Sequence, residues 1–179
     1  MRVLYTATAR ATGDGRNGHA RSQDGILDID MRIPKEMGGP GGAANPEILF
    51  AAGYAACFHT ALKVVAGQEK VRVDGSEVTA SVGIGSLDNG GFALTADLRV
   101  SVPGLDRGAA EKLIARAHEV CPYSNATRGN IPMTLTVDRL LRLAWWNWPV
   151  DIITEHVRTI WTGTPVELEH AAKAAGLLD

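Results

Sequence analysis

The chain has few of the residues that would build a disulfide scaffold or a metal centre. It holds two cysteines, Cys57 and Cys121, far apart in sequence. One pair cannot make a disulfide framework, and there is no C-x-x-C spacing for zinc. The histidines, His19, His59, His118, His156 and His170, fall at no ligand spacing, so neither a metal nor a bound cofactor is expected. Basic clusters are missing too: 18 Lys and Arg stand against 20 Asp and Glu, for a net charge of −2, which speaks against a nucleic-acid partner. No apolar run is read as long enough to span a bilayer, and Met1-Arg2-Val3-Leu4 leads into a strand pattern without the apolar core of a signal peptide. A cytoplasmic protein without stable membrane insertion is the expectation.

What is present begins with Asn45 to Gly67, NPEILFAAGYAACFHTALKVVAG. Asn45 is a good N-cap, Pro46 suits the first helical position, and Glu47 places negative charge in the first turn. The body of this helix is apolar or small nearly all round, with Leu49, Phe50, Ala52, Ala56, Cys57, Ala61, Leu62 and Val64. Such a helix is expected to be central and buried, with Cys57 hidden in its middle.

Around it the pattern is mostly strands. Residues 2 to 11 and 19 to 23 read as strands flanking the loop TGDGRNG (12 to 18), which presents Arg16. Asp24-Gly25 signals a hairpin into GILDIDMRI, and a glycine-rich loop over 34 to 44 feeds the central helix. Two long strand patterns over 71 to 87 and 91 to 104 follow, joined by Asp88-Asn89-Gly90-Gly91. Asp106 then caps a helix over 107 to 120 that Cys121-Pro122 ends, and a strand runs from Ile131 to Val137. Strands, helix, strands, helix, strand without βαβ alternation is an α+β arrangement. Beyond Asp138 the character changes: all four tryptophans, 145, 146, 148 and 161, lie there. DIITEHVRTIW reads as one amphipathic helix, and Thr164-Pro165-Val166-Glu167 has capping-box form, opening a helix that Gly176 stops. Residues 1–137 are read as one domain, and 138–179 as a Trp-rich helical C-terminal extension.

A thiol in a buried apolar helix is held protonated by desolvation, and in mid-helix it gains nothing from the N-terminal dipole. To react it needs a cation. Arg10, Arg16 and Arg21 are candidates, and Arg16 is favoured because its glycine-flanked loop can move the guanidinium. A carboxylate must fork with that guanidinium; Glu47 is the natural partner, with Glu36 and Asp14 as alternatives. Ten residues from Glu47 to Cys57 span about 15 Å of straight helix. The two can share a site only if the helix breaks or a second subunit supplies one of them, and a two-fold dimer with its central helices side by side is favoured. Cys121, next to proline at a helix end, sits where the backbone can bring two sulfurs together, so a sulfenic acid on one thiol would condense with the other.

NPEILFAAGYAACF, followed after a long interval by CPYSNATRGNI, resembles the organic hydroperoxide resistance branch of the Ohr/OsmC family. The resemblance extends through VGIG (82 to 85), VPGLDR (102 to 107) and AHEVCPYSNATRGNI (117 to 131), and covers about residues 3 to 137. It implies an intertwined homodimer, antiparallel sheets around buried central helices, and active sites at the interface. It also implies a cysteine-based peroxidase reducing organic hydroperoxides, with electrons from an external dithiol such as dihydrolipoamide on a lipoylated protein. Carried over by position, Cys57 is the peroxidatic cysteine and Cys121 the resolving one, Arg16 activates the thiolate, and Glu47 holds Arg16. The chain departs from the family at His19, where a second arginine is common, at Pro132, in a loop one residue short before Asn45, and in the extension. A non-catalytic redox-sensing or binding module, or an OsmC-type peroxidase of broader substrate range, is the rival reading.

Overall fold

The structure, a computed structural model, describes residues 1–137, 148–162 and 165–177. A small antiparallel sheet comes first: β1 (Ala9–Thr12), β2 (His19–Ser22) and β3 (Asp28–Asp30), in that order. The strand expected over 2 to 11 pairs only from Ala9 onward. Residues 1 to 8 lie outside any strand, although the Thr8 carbonyl oxygen accepts the Gln23 N–H at 2.8 Å, and Val3, Leu4 and Tyr5 are exposed.

The central helix α1 spans Pro46–Glu69. Asn45 caps it, its side-chain oxygen accepting the Ile48 N–H at 2.9 Å. The helix runs two residues past Gly67, ending at Lys70 in the left-handed region, φ 56°. Beyond it β4 (Glu77–Ser86) and β5 (Phe92–Ser101) form a long antiparallel hairpin. Then come α2 (Arg107–Val120), capped by Asp106, and α3 (Pro122–Thr127), and β6 (Met133–Val137) closes the second sheet. Pro122 does end α2, but as an N1 residue it also starts α3, a helix with no counterpart among the elements expected from the sequence.

The α+β arrangement holds, but pairing is not antiparallel throughout: β6 lies parallel to β5, Leu98 facing Leu135, and an isolated bridge joins Met31 and Ala44 in parallel. The crossover through α2 and α3 delivers the chain to the same end of the sheet from which β5 started. The core lies between this sheet and the helices. Tyr54, Phe58, Leu62 and Val65 of α1 meet Leu98 and Val100 of β5 and Leu113, Ile114 and Ala117 of α2.

Two expectations about α1 are corrected. First, it is not buried all round: Ala52, Ala56, Thr60 and Val64 form an exposed stripe at helical spacing, and Ile48 is also open. The sheet and α2 cover one side of the helix, and among the described residues the stripe on the other side is left exposed. Second, by length and composition α1 is long and apolar enough to cross a membrane. Its buried side, however, is a core face of the domain, as in many globular central helices.

In the extension α4 (Val150–Glu155), α5 (Val157–Thr162) and α6 (Pro165–Ala174) follow one another. The single helix expected over 151 to 161 is two short ones, divided at His156. Trp148, Leu168 and Ala172 form a small core of their own, joined by Ile152, Ile153 and Ile160. Trp145, Trp146 and the Thr164 cap lie outside the described residues. Gly176, at φ 70°, follows α6 as its stop.

Candidate active site

Two pairs of side chains chosen from the sequence come together, at two separate points along α1. The first is an ion pair. A short 3-10 turn, Gly15–Asn17, lifts Arg16 between β1 and β2, and its guanidinium donates Nη1 to Glu47 Oε2 at 2.8 Å and Nη2 to Glu47 Oε1 at 2.7 Å. This is a two-point fork, the geometry in which arginine surpasses lysine. The hydrogen bonds to Glu47 raise the Arg16 pKa, and those from Arg16 hold the Glu47 carboxyl below its ordinary range. The loop is pinned from behind: Asn17 Oδ1 accepts the Ile33 N–H at 3.0 Å, and Gly18 packs where a Cβ would fall 2.1 Å from the Thr12 carbonyl oxygen.

Of the other candidates, Arg21 pairs with Asp28 at 3.3 Å, and Arg10 stands across the strand pair from Arg21. Asp14 and Glu36 are not the partners of Arg16. Glu36 instead lines an open groove of about 420 Å³ beside Glu47, walled mainly by Pro34, Met37, Ile48, Ala51, Val82 and Ile84. His19 sits between two carboxylates, Nε2 2.6 Å from Asp28 and Nδ1 3.0 Å from Asp30. Because both ring nitrogens face acceptors, the imidazolium form fits best, and these bonds raise the His19 pKa.

The second pair is the thiols. Cys121 Sγ donates toward Cys57 Sγ at 3.6 Å. Cys57, expected to be hidden, is only half-buried, whereas Cys121 is wholly enclosed. Cys57 lies at the margin of the α1 face that packs on the sheet, whereas Cys121 sits in the joint between α2 and α3. Desolvation pushes the Cys57 pKa up, a hydrogen bond from the Tyr123 backbone N–H opposes that, and the Cys121 thiol adds to the rise.

That amide is a functional group the sequence reading missed. With Pro122 as N1 of α3, the Tyr123 N–H is one of the free donors of a first helical turn, so the proline after Cys121 was the available signal. The Tyr123 ring lies over Gly53, where an added Cβ would come 3.1 Å from its hydroxyl, and packs against Phe50 and Tyr54 at 5.8 Å from each.

The two pairs do not meet within one chain. Helix α1 is unbroken from Glu47 to Cys57, so about 15 Å of helix axis separates the residue that holds the guanidinium from the residue that bears the thiol. Among the described residues no group of three His, Cys, Asp or Glu side chains is placed to hold a metal ion.

Comparison with known proteins agrees with this architecture. The OsmC-like protein family model matches residues 39–136. The organic hydroperoxide resistance protein of Xanthomonas axonopodis pv. citri is 54% identical over 138 residues, covering 76% of this chain and 96% of that protein. Among solved structures, an organic hydroperoxide resistance protein from Elizabethkingia anophelis superposes with a TM-score of 0.74 at 52% identity, covering 77% of this chain and 99% of that one. One from Legionella pneumophila gives 0.74 at 48% identity, covering 76% and 99%. With a fold and about half of the matched sequence in common with these proteins, the chain belongs to the OsmC-like family, in its organic hydroperoxide resistance branch.

Proposed function

We propose that the chain is a thiol peroxidase that reduces organic hydroperoxides to alcohols and acts as a homodimer in the cytoplasm. The observation that carries this reading is the 3.6 Å approach of a half-buried Cys57 to a fully buried Cys121. The Cys57 thiolate attacks the distal peroxide oxygen; the O–O bond breaks, an alkoxide leaves to be protonated, and Cys57 becomes a sulfenic acid. Cys121 sulfur then attacks the Cys57 sulfur, the S–O bond breaks, and water departs with the Cys121 proton. An external dithiol, of the dihydrolipoamide kind or carried on a lipoylated protein, returns the disulfide to two thiols. Arg16 stabilises the thiolate and the charge developing on the alkoxide, and Glu47 holds Arg16 in place.

Since α1 keeps Arg16 and Cys57 of one chain apart, the arginine reaching each thiol comes from the second copy. The exposed stripe of Ala52, Ala56 and Val64 supports this arrangement, because it offers α1 a second surface to pack. The apolar walls of the groove beside Glu47 favour an alkyl chain over hydrogen peroxide. The peroxidase domain is 1–137, and 138–179 is an appended helical extension.

The test is the intact mass of reduced protein after one equivalent of a fatty-acid hydroperoxide, under denaturing, non-reducing conditions. Loss of about 2 Da per chain is the expected result, absent in Cys57→Ser. An unchanged mass overturns the peroxidase reading in favour of a non-catalytic binding module.

A further inference from the structure

Tyr54 lies on α1 one turn before Cys57 and is fully buried. Its hydroxyl is 3.1 Å from Ser124 Oγ, 3.2 Å from Thr127 Oγ1 and 2.9 Å from Met133 Sδ. Ser124 and Thr127, both buried, belong to α3, and Met133 opens β6. One phenol oxygen thus ties three elements together, and the peroxide chemistry makes no use of it. A buried network with every member partnered is strong, and removing its hub leaves polar groups stranded.

What the hub holds is the segment next to the sulfurs. α3 has six residues, too few to stand as a helix without tertiary support. It begins directly after Cys121 and carries the Tyr123 N–H that faces Cys57. For a disulfide the sulfurs must close from 3.6 Å to about 2.05 Å. Cys57 sits in mid-helix and yields little. Cys121, in the joint between two helices, makes most of the movement, and the short helix beyond it must keep its register meanwhile.

We propose that Tyr54 is a positioning residue for the resolving step: through Ser124 and Thr127 its hydroxyl keeps α3 docked, so that Cys121 stays in line with an oxidised Cys57. This rests on the peroxidase reading above. The step it serves forms the S–S bond and breaks the S–O bond of the Cys57 sulfenic acid, with hydroxide leaving as water on the Cys121 proton. The two electrons have already passed from Cys57 to the peroxide.

The experiment is rapid quench of reduced protein with one equivalent of cumene hydroperoxide. Remaining peroxide, dimedone-trapped sulfenic acid and disulfide are followed separately in the parent, in Tyr54→Phe and in Ser124→Ala. The expected result is disulfide closure slowed at least tenfold, toward the roughly hundredfold cost of misplacing reacting atoms by an ångström, with sulfenic acid accumulating. Peroxide consumption in the first turnover changes by less than about threefold, as befits a group outside that step. Ser124→Ala removes the α3 end of the same contact without touching the ring, and serves if Tyr54→Phe does not fold. Closure at the parental rate in the folded variants overturns the inference alone, and so does equal slowing of both steps, the mark of a merely structural role. A parent that forms no disulfide overturns the inference together with the peroxidase reading.

Discussion

Replacing Arg16 by lysine keeps the positive charge and removes the fork, which isolates what the two-point geometry contributes. The parent makes two charge-assisted bonds of 2.8 and 2.7 Å to the oxygens of Glu47; an ammonium on a flexible stem makes one. A hydrogen bond to a charged group contributes about 1.5–3 kcal/mol. The Arg16 side chain is one-third exposed and Glu47 only 11%, so solvent screening takes the loss to the low end, about 1–1.5 kcal/mol. If loop placement limits the attack on peroxide, this is a drop of about 5- to 12-fold in kcat/KM. The assay is dithiol-coupled turnover at limiting organic hydroperoxide, in a double-mutant cycle with Glu47→Gln. The single changes are expected to cost similar amounts and the double little more than either, since each breaks the same pair. An Arg16→Lys protein within twofold of the parent, or strictly additive costs, refutes the reasoning. Glu47 also sets an acid limit. Its folded pKa lies below the ordinary 4.5, so the pair contributes fully above that value and is lost as pH falls through the lowered one.

Alkylation of Cys57 by iodoacetamide across pH is expected to run to higher pH in Arg16→Ala than in the parent, because burial alone pushes this thiol up; coincident profiles would remove Arg16 from thiolate activation. Gly18→Ala drives a Cβ to 2.1 Å from the Thr12 carbonyl oxygen, so a stability loss of about 1–3 kcal/mol and displacement of the Arg16 loop are expected, read by thermal unfolding and by turnover. His19 has a raised pKa, so its tie to Asp28 and Asp30 is complete below the ordinary value of 6.5 and is lost as pH rises through the raised one. Accordingly His19→Gln should melt below the parent at pH 6 and with it at pH 9, and a gap that persists at pH 9 would deny the imidazolium its role.

The central helix was legible because its signals are local: an N-cap, a proline at N1 and an unbroken apolar body identify it without tertiary context. Chemistry favoured Arg16 and Glu47 over Arg10, Arg21, Glu36 and Asp14, since a guanidinium held in place needs a carboxylate, and the family resemblance singled out the same two. The parallel seating of β6 was not legible, because pairing direction depends on where the crossover through α2 and α3 delivers the chain, and no short stretch of sequence encodes that. For α3, Pro122 was read as the end of one helix when it serves also as the start of another. The burial of Cys57 was overestimated because helical composition reports how much apolar surface must be covered and is silent on what covers it.

That uncovered surface and the split site lead to one argument. A continuous helix acts as a ruler: Glu47 in its first turn and Cys57 in its fourth stay about 15 Å apart along the axis whatever the loops do. Arg16, forked to Glu47, is held at the far end of this helix from its own sulfur, so on the proposed reading a chain by itself would carry two half-sites. On that reading, a two-fold axis across the exposed stripe of α1 would set each fork against the other chain's thiols and make two whole sites from four halves. Mixing tests this directly. Arg16→Ala and Cys57→Ser chains are each expected to be inactive, but a hybrid of the two would join the intact Arg16 of one to the intact Cys57 of the other, giving one working site and one with neither group. After unfolding and refolding an equal mixture, half the dimers are hybrids with half their sites complete, so activity should recover to about a quarter of the parental value. If Arg16 served the Cys57 of its own chain, every site in the hybrid would lack one partner. The mixture would then be no more active than the sum of its parts, and the two-chain site would have to be abandoned.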